Sequence, residues 1–315
     1  MEIPCYPEFT PMTFAFKDLM QPQLFNTPDG VSEYTFANFY LFRERYHYKV
    51  SRSSDNLFIL SGEREGKKFF ITPLGMPGQE LLTGLFHTHD YWKGIPDAIL
   101  APNREVLEQW GIEITEDRDN FDYLYLRTDL AELPGKKYHK KRNLVNAFMN
   151  IRAEGDLENR PLTEELIPQA IKVLDRWRQD KGSEGDYVAA REALEQFGSL
   201  GLQGVVYYVN RRPAGWCLGE LVAQGTMFAL HFEKGIDEYK GIYQYMNQAF
   251  AASLPESIIS INREQDLGDE GLRQAKMTYR PSGFVRKYTG LFVRPSGAVE
   301  QSLGYEGITL YSRTI

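Results

Sequence analysis

The chain has 315 residues, 42% of them hydrophobic and 25% charged, with 19 tyrosines, 19 phenylalanines and a formal net charge of −7. That length allows one large core or two domains of about 100–200 residues, and the aromatic content excludes extended disorder. A net negative chain repels nucleic acid and anionic lipid as a whole, so any polyanion contact requires a local basic patch.

Cys5 and Cys217 have no motif spacing, which excludes a disulfide framework and fits a reducing cytoplasm. Cys217, in the run Trp216-Cys217-Leu218, is expected to be a buried, reduced thiol. Met1-Glu2-Ile3-Pro4 lacks the basic-then-apolar pattern of a signal peptide, and no apolar run approaches the ~20 residues that span a bilayer. A cytoplasmic protein without stable membrane insertion is expected.

In chain order, Leu57–Ser61 and Lys67–Thr72 read as strands joined by the polar turn 62–66. A helical stretch around Glu80–Thr88 precedes a strand-like run at Ala98–Leu100. Pro102-Asn103 opens a helix that Gly111 ends after Trp110. Tyr123–Arg127 reads as a strand, Leu133-Pro134-Gly135 breaks the chain, and a helix follows with Tyr138, Val145, Phe148 and Ile151 on one apolar face.

The second part is more regular. Leu166, Ile167, Ala170, Ile171, Leu174 and Trp177 recur at helical spacing, and a second helix carries Tyr187, Ala190, Leu194 and Phe197. Three runs, Gly204–Asn210, Trp216–Val222 and Thr226–Glu233, have short turn-forming separators and predict an antiparallel meander. An amphipathic helix (Ile242, Met246, Ala249, Phe250), a strand ending at Asn262, a short helix at Leu272–Thr278 and a strand near Phe284–Val293 complete the chain. This order resembles that of a GNAT-type acyltransferase domain, and the first part reads as a degenerate copy. The expected class is therefore α/β with mixed sheets, in two pseudo-repeated GNAT-like domains, residues 1–135 and 136–315.

The densest chemistry lies in Ile258–Leu272, where an apolar strand turns abruptly into Asn262-Arg263-Glu264-Gln265-Asp266 and then passes Gly268 and Gly271 into a helix. In α/β proteins a strand tip and the following helix N-terminus line the ligand crevice. The alternative is a solvated turn whose charges pair with one another. Asp122–Leu130, Gly135–Asn143, His231-Phe232-Glu233-Lys234, Gly241-Ile242-Tyr243-Gln244, the Asn262–Gly268 run and Gly271–Lys276 together resemble the phosphatidylglycerol lysyltransferase C-terminal domain family, from about residue 30 to residue 290.

The resemblance implies a tandem GNAT fold akin to the Fem-type aminoacyltransferases, and transfer of an aminoacyl group from aminoacyl-tRNA. The chain lacks the membrane-spanning half of the lipid-modifying relatives, so a small-molecule or peptide acceptor is expected. In this reading Glu233, at the end of the strand beside which GNAT folds hold the acyl donor, or Asp266 is the general base. Asn262, Arg263, Glu264, Gln265 and Lys276 bind substrate, with the Gly268–Gly271 turn presenting N–H groups to an anion. Glu233 could equally pair with Lys234 or a nearby arginine. Lys137, His139, Lys140, Lys141 and Arg142 form a basic helical patch for tRNA or another anion, or else a solvated helix face.

The stretch Lys234–Ile242 holds two glycines six residues apart with Asp237 and Glu238 between them. Those carboxylates would repel a pyrophosphate, so no cofactor is expected. Coenzyme A belongs to an alternative reading, an N-acyltransferase; a third is a non-catalytic binding module on the same fold. His87-Thr88-His89 fits one face of a strand without further ligands, and no metal site is expected.

Overall fold

Strands and helices recur in one order twice along the chain. A computed structural model describes residues 2–150, 156–182 and 184–293. The first sheet runs Thr10–Pro11, Lys49–Arg52, Phe58–Arg64, Lys67–Ile71, Tyr91–Pro96, Lys287–Phe292, Ile112–Glu116. The second runs Leu157–Pro161, Gln203–Val209, Arg212–Val222, Met227–Gly235, Ser260–Asn262, Asp122–Leu126, Gly283–Val285. The two correspond strand for strand. In each, the first four strands are antiparallel neighbours, the fourth and fifth are parallel, and the sixth is antiparallel to both its neighbours. A parallel pair requires a crossover, supplied by the helices Gln79–Thr88 and Ile242–Ser253. This is the tandem GNAT-like architecture expected from the element order.

The sixth strand of each sheet comes from the other part of the chain. Asp122–Leu126 inserts into the second sheet and Lys287–Phe292 into the first. A division at residue 135 therefore does not coincide with the division between the sheets. The exchanged strands meet at their first residues, where Lys287 Nζ lies 2.7 Å from Asp122 Oδ1 with both side chains fully buried. Their second residues also correspond: the Tyr123 hydroxyl donates to Asp266 and the Tyr288 hydroxyl to Asp97. The largest apolar cluster draws Phe39, Tyr48, Phe58 and Phe69 from one part and Leu174, Ala190, Trp216 and Phe232 from the other.

Three expectations change. Ala98–Leu100 lies within the helix Asp97–Gln109, with Ile99, Leu100 and Leu107 buried and Pro102 inside it; a three-residue apolar run cannot separate helix from strand by period. The run near Phe284–Val293 is two strands broken at Arg286, one in each sheet. His87 sits in the last turn of the helix Gln79–Thr88, so His87 and His89 share no strand face. The helix His139–Asn150 buries Val145 and Phe148, the latter stacked on Tyr245 of Ile242–Ser253; Ile151 lies outside the described residues. Among those residues no helix is long and apolar enough to cross a membrane.

Candidate active site

The parallel ladder at the centre of the second sheet is short. Met227, Phe228 and Ala229 pair with Ser260, Ile261 and Asn262, and there the pairing ends. One strand continues to Gly235, while the other turns off through Glu264 at φ 56°. On the other side, Leu218 pairs with Phe232 but Gly219 with Leu230, so His231 is the extra residue of a β-bulge. Glycine is required at 219, because a Cβ would lie 2.0 Å from the Ala229 carbonyl oxygen. The bulge and the early turn open a gap between neighbouring strands.

Two side-chain bridges cross it. His231 Nδ1 lies 2.7 Å from Glu264 and Nε2 lies 3.0 Å from Glu220. Burial works against a charged ring there, but hydrogen bonds to Glu220 and Glu264 outweigh it and lift the pKa to about 10. Burial pushes the Glu264 carboxyl up. Further along the gap, Arg263 pairs with Glu233, each side chain 14% exposed. Oriented with its oxygen toward the guanidinium, the Asn247 amide accepts from Arg263 at 3.2 Å. Glu233 does not pair with Lys234, which points to the opposite face, onto Asp186 at 2.7 Å and over Trp177.

The rest of the loop holds these groups in place. Asn262, fully buried, donates to the Gly30 carbonyl at 2.8 Å and to Asp122 at 3.0 Å, and accepts from the Glu264 N–H. Gln265 donates to Asp122 at 2.6 Å and to the Ser32 hydroxyl at 2.8 Å. Lys276 donates to the carbonyls of Arg263 at 2.7 Å, Glu264 at 3.0 Å and Gln265. Burial first, and Arg263 second, push its pKa down to about 8.

Asp266 is placed differently from a base. Its carboxylate, sealed by neighbouring side chains, accepts from Tyr123 at 2.6 Å, from Arg273 at 2.8 and 2.9 Å, from Arg118 at 3.3 Å and from the Gly268 N–H at 2.9 Å. Burial is outweighed by Arg273, Tyr123 and Gly268, which hold the pKa well below the usual carboxylate range. A carboxylate so saturated orders the loop and is a poor proton acceptor; Glu233 is held by Arg263, the arginine pairing the sequence left open, and remains a candidate base only with that pair opened. The Gly268–Gly271 turn is also occupied: the Gly268 N–H goes to Asp266, and the Asp269 side chain caps the following helix by accepting from the Leu272 N–H.

The basic helix divides in two. Lys137 pairs with Asp129 at 2.9 Å, Arg142 donates to the carbonyls of Leu133 and Gly135, and His139 lies 3.3 Å from Asn143. Lys140 is exposed. Lys141 turns inward, its ammonium 3.8 Å from the centre of the Tyr279 ring, beside which Arg263 also lies at 5.5 Å. Burial and Arg263 bring its pKa down to about 8. Lys141 and Arg263 thus share the Tyr279 ring between the helix and the gap.

Sequence reasoning missed several partners. His231 lay within a recognised run but had no role assigned. Asp122 opened another recognised run, also without a role, while Ser32, Glu33, Lys287 and Asn247 carried no signal, because the strand exchange and helix packing alone bring them to Asp122, Gln265 and Arg263.

Two sheets of GNAT type, with a bulged fourth strand parting from the fifth, define the class as a tandem GNAT-like fold. The chain belongs to the family "Phosphatidylglycerol lysyltransferase, C-terminal", whose profile matches residues 26–290. A conserved protein of unknown function from Bacteroides thetaiotaomicron is similar in structure, with TM-score 0.82, 29% identity and coverage of 90% of this chain and 99% of that one. The C-terminal domain of a candidate lysylphosphatidylglycerol synthetase from Agrobacterium fabrum shares the fold at TM-score 0.61 and 14% identity, covering 90% of this chain and 93% of that one. FemX shares it at TM-score 0.53 and 8% identity, covering 91% and 97%. An uncharacterized protein of Mycoplasmoides gallisepticum is 25% identical over 190 residues, which span 58% of this chain and 59% of that relative.

Proposed function

We propose that this protein is an aminoacyltransferase that moves an aminoacyl group from aminoacyl-tRNA to an amine or hydroxyl of a small molecule or peptide. The observation that carries the reading is the gap between the two central strands, with the Glu233–Arg263 pair across it and Lys141 at its approach. Family membership and the fold shared with FemX point the same way.

In this mechanism the acceptor displaces Arg263 from Glu233 and gives Glu233 its proton. The acceptor nitrogen or oxygen bonds to the ester carbonyl carbon, the bond from that carbon to the ribose oxygen breaks, and the proton passes to the leaving ribose hydroxyl. Arg263, released from its carboxylate, stabilises the oxyanion that forms on the carbonyl. Lys140 holds tRNA phosphate, and Lys141 bridges it to the gap.

Coenzyme A fits this arrangement less well. The N-terminus of Ile242–Ser253, where a GNAT enzyme cradles pyrophosphate, is covered by the helix His139–Asn150: a Cβ on Gly241 would meet Phe148 at 3.1 Å and the Leu144 carbonyl at 3.3 Å.

The test supplies labelled aminoacyl-tRNA with a panel of amines, peptides and phosphatidylglycerol micelles. Label should move to one acceptor class, and Glu233→Gln should slow transfer about 10²–10⁴-fold. Lys140→Ala should flatten the slope of log K against log salt by about 0.7–0.9 units. No tRNA binding at ~50 mM salt, or wild-type transfer by Glu233→Gln, would overturn the proposal.

A further inference from the structure

A cleft of about 500 Å³ lies apart from the Glu233–Arg263 gap, lined in part by Tyr91, Lys93, Thr115, Asp117, Asn120 and Leu267. Lys93 is only 7% exposed. An ammonium carries three donors and no acceptor, and this one, at the end of a buried stem, opens onto the cleft. Among the described residues none accepts from Lys93. Its nearest neighbours include the ring faces of Phe69 and Tyr46, with Nζ 5.2 and 5.6 Å from their centres. Burial pulls its pKa down, and Glu33 opposes this without pairing to it, because the Glu33 carboxylate is taken by Lys287.

Asp117 lines the same cleft and is close enough to favour the Lys93 charge, yet the two form no ion pair. Instead Asp117 accepts from the Asn120 amide at 2.9 Å. An ammonium and a carboxylate facing one cleft without touching leave room for a molecule with the complementary pair of charges. A carboxylate would answer the donors of Lys93, and an ammonium the free lone pairs of Asp117.

We infer that this cleft binds a small zwitterion, a free α-amino acid or short peptide, with its carboxylate on Lys93 and its ammonium on Asp117. Thr115 and Asn120 supply uncharged polar contacts at the wall. The inference is independent of the aminoacyl-transfer mechanism, since none of these residues touches Glu233, Arg263 or Lys141.

Titration calorimetry on the full chain tests it with L-alanine, L-alanyl-L-alanine and L-lysine, against N-acetyl-L-alanine and L-alanine amide, each of which masks one charge. At least one zwitterion should bind with Kd below about 1 mM, and the masked forms about tenfold or more weaker. Lys93→Met should erase the preference for a free carboxylate, and Asp117→Asn the preference for a free ammonium. Absence of binding by every zwitterion up to about 10 mM, equal binding of the masked forms, or unchanged preferences in both variants would overturn it. Should Lys93→Met fail to give a cooperative melt, Asp117→Asn, on a half-exposed turn, decides alone.

Discussion

Replacing His231 by Gln removes a ring, 3% exposed, that is held 3.0 Å from Glu220 and 2.7 Å from Glu264. Hydrogen bonds to charged groups contribute about 1.5–3 kcal/mol each, and an uncharged amide retains only part of that. The effect depends on pH because the ring is charged. Its folded pKa is about 10 against the ordinary 6.5. At about 1.36 kcal/mol per pH unit, the ceiling is roughly 4–5 kcal/mol. The folded pKa is raised, so this stabilisation is complete below pH 6.5, declines as pH rises and is gone above about pH 10. Urea unfolding of wild type and His231→Gln across that range should give a difference of about 2–4 kcal/mol at the acid end that shrinks toward the alkaline end. Subtracting the variant cancels other groups titrating there. Lys141 and Lys276, with pKa values pushed down to about 8, act in the opposite sense, destabilising at low pH and less so as pH rises. A difference constant across the range would mean a neutral ring and refute the charged bridge.

Other perturbations probe the rest of the site. Asp266→Asn, which weakens contacts to Arg273, Arg118 and Tyr123, should cost about 2–4 kcal/mol in urea unfolding; an unchanged midpoint would contradict a structural role. Lys276→Met removes three hydrogen bonds to loop carbonyls, and exchange of the Glu264 amide should quicken about 10–100-fold. Native protection there would show that the loop holds itself. A fragment of residues 1–135 should give no cooperative melt by circular dichroism, because the first sheet lacks Lys287–Phe292 and Asp122 loses its buried lysine. A sharp transition would show that the strand exchange is dispensable.

Local chemistry made much of the architecture legible. The meander was readable from short turn-forming separators between strand-like runs, and the helices from apolar faces such as Leu166 to Trp177. The Asn262–Asp266 run announced a loop with a purpose by crowding polar side chains at a strand tip. Its members proved to have different duties. Arg263 faces Glu233, while Asn262, Gln265 and Asp266 hold the loop from within. That division depends on which side of the backbone each side chain leaves and what stands opposite, and neither is a local property.

The sequence by itself determined most elements of the second part and the repeated order, because period, turn residues and capping act over a few positions. Only the tertiary structure decided that the sheets trade their sixth strands, that Asp122 and Lys287 meet across 165 positions of chain, and that Lys141 turns away from its basic neighbours toward Arg263. The physical reason is that a strand carries unsatisfied N–H and C=O groups along both edges, and local pattern does not say which edge will pair with it. Once the exchange sets those partners, the buried charges find theirs.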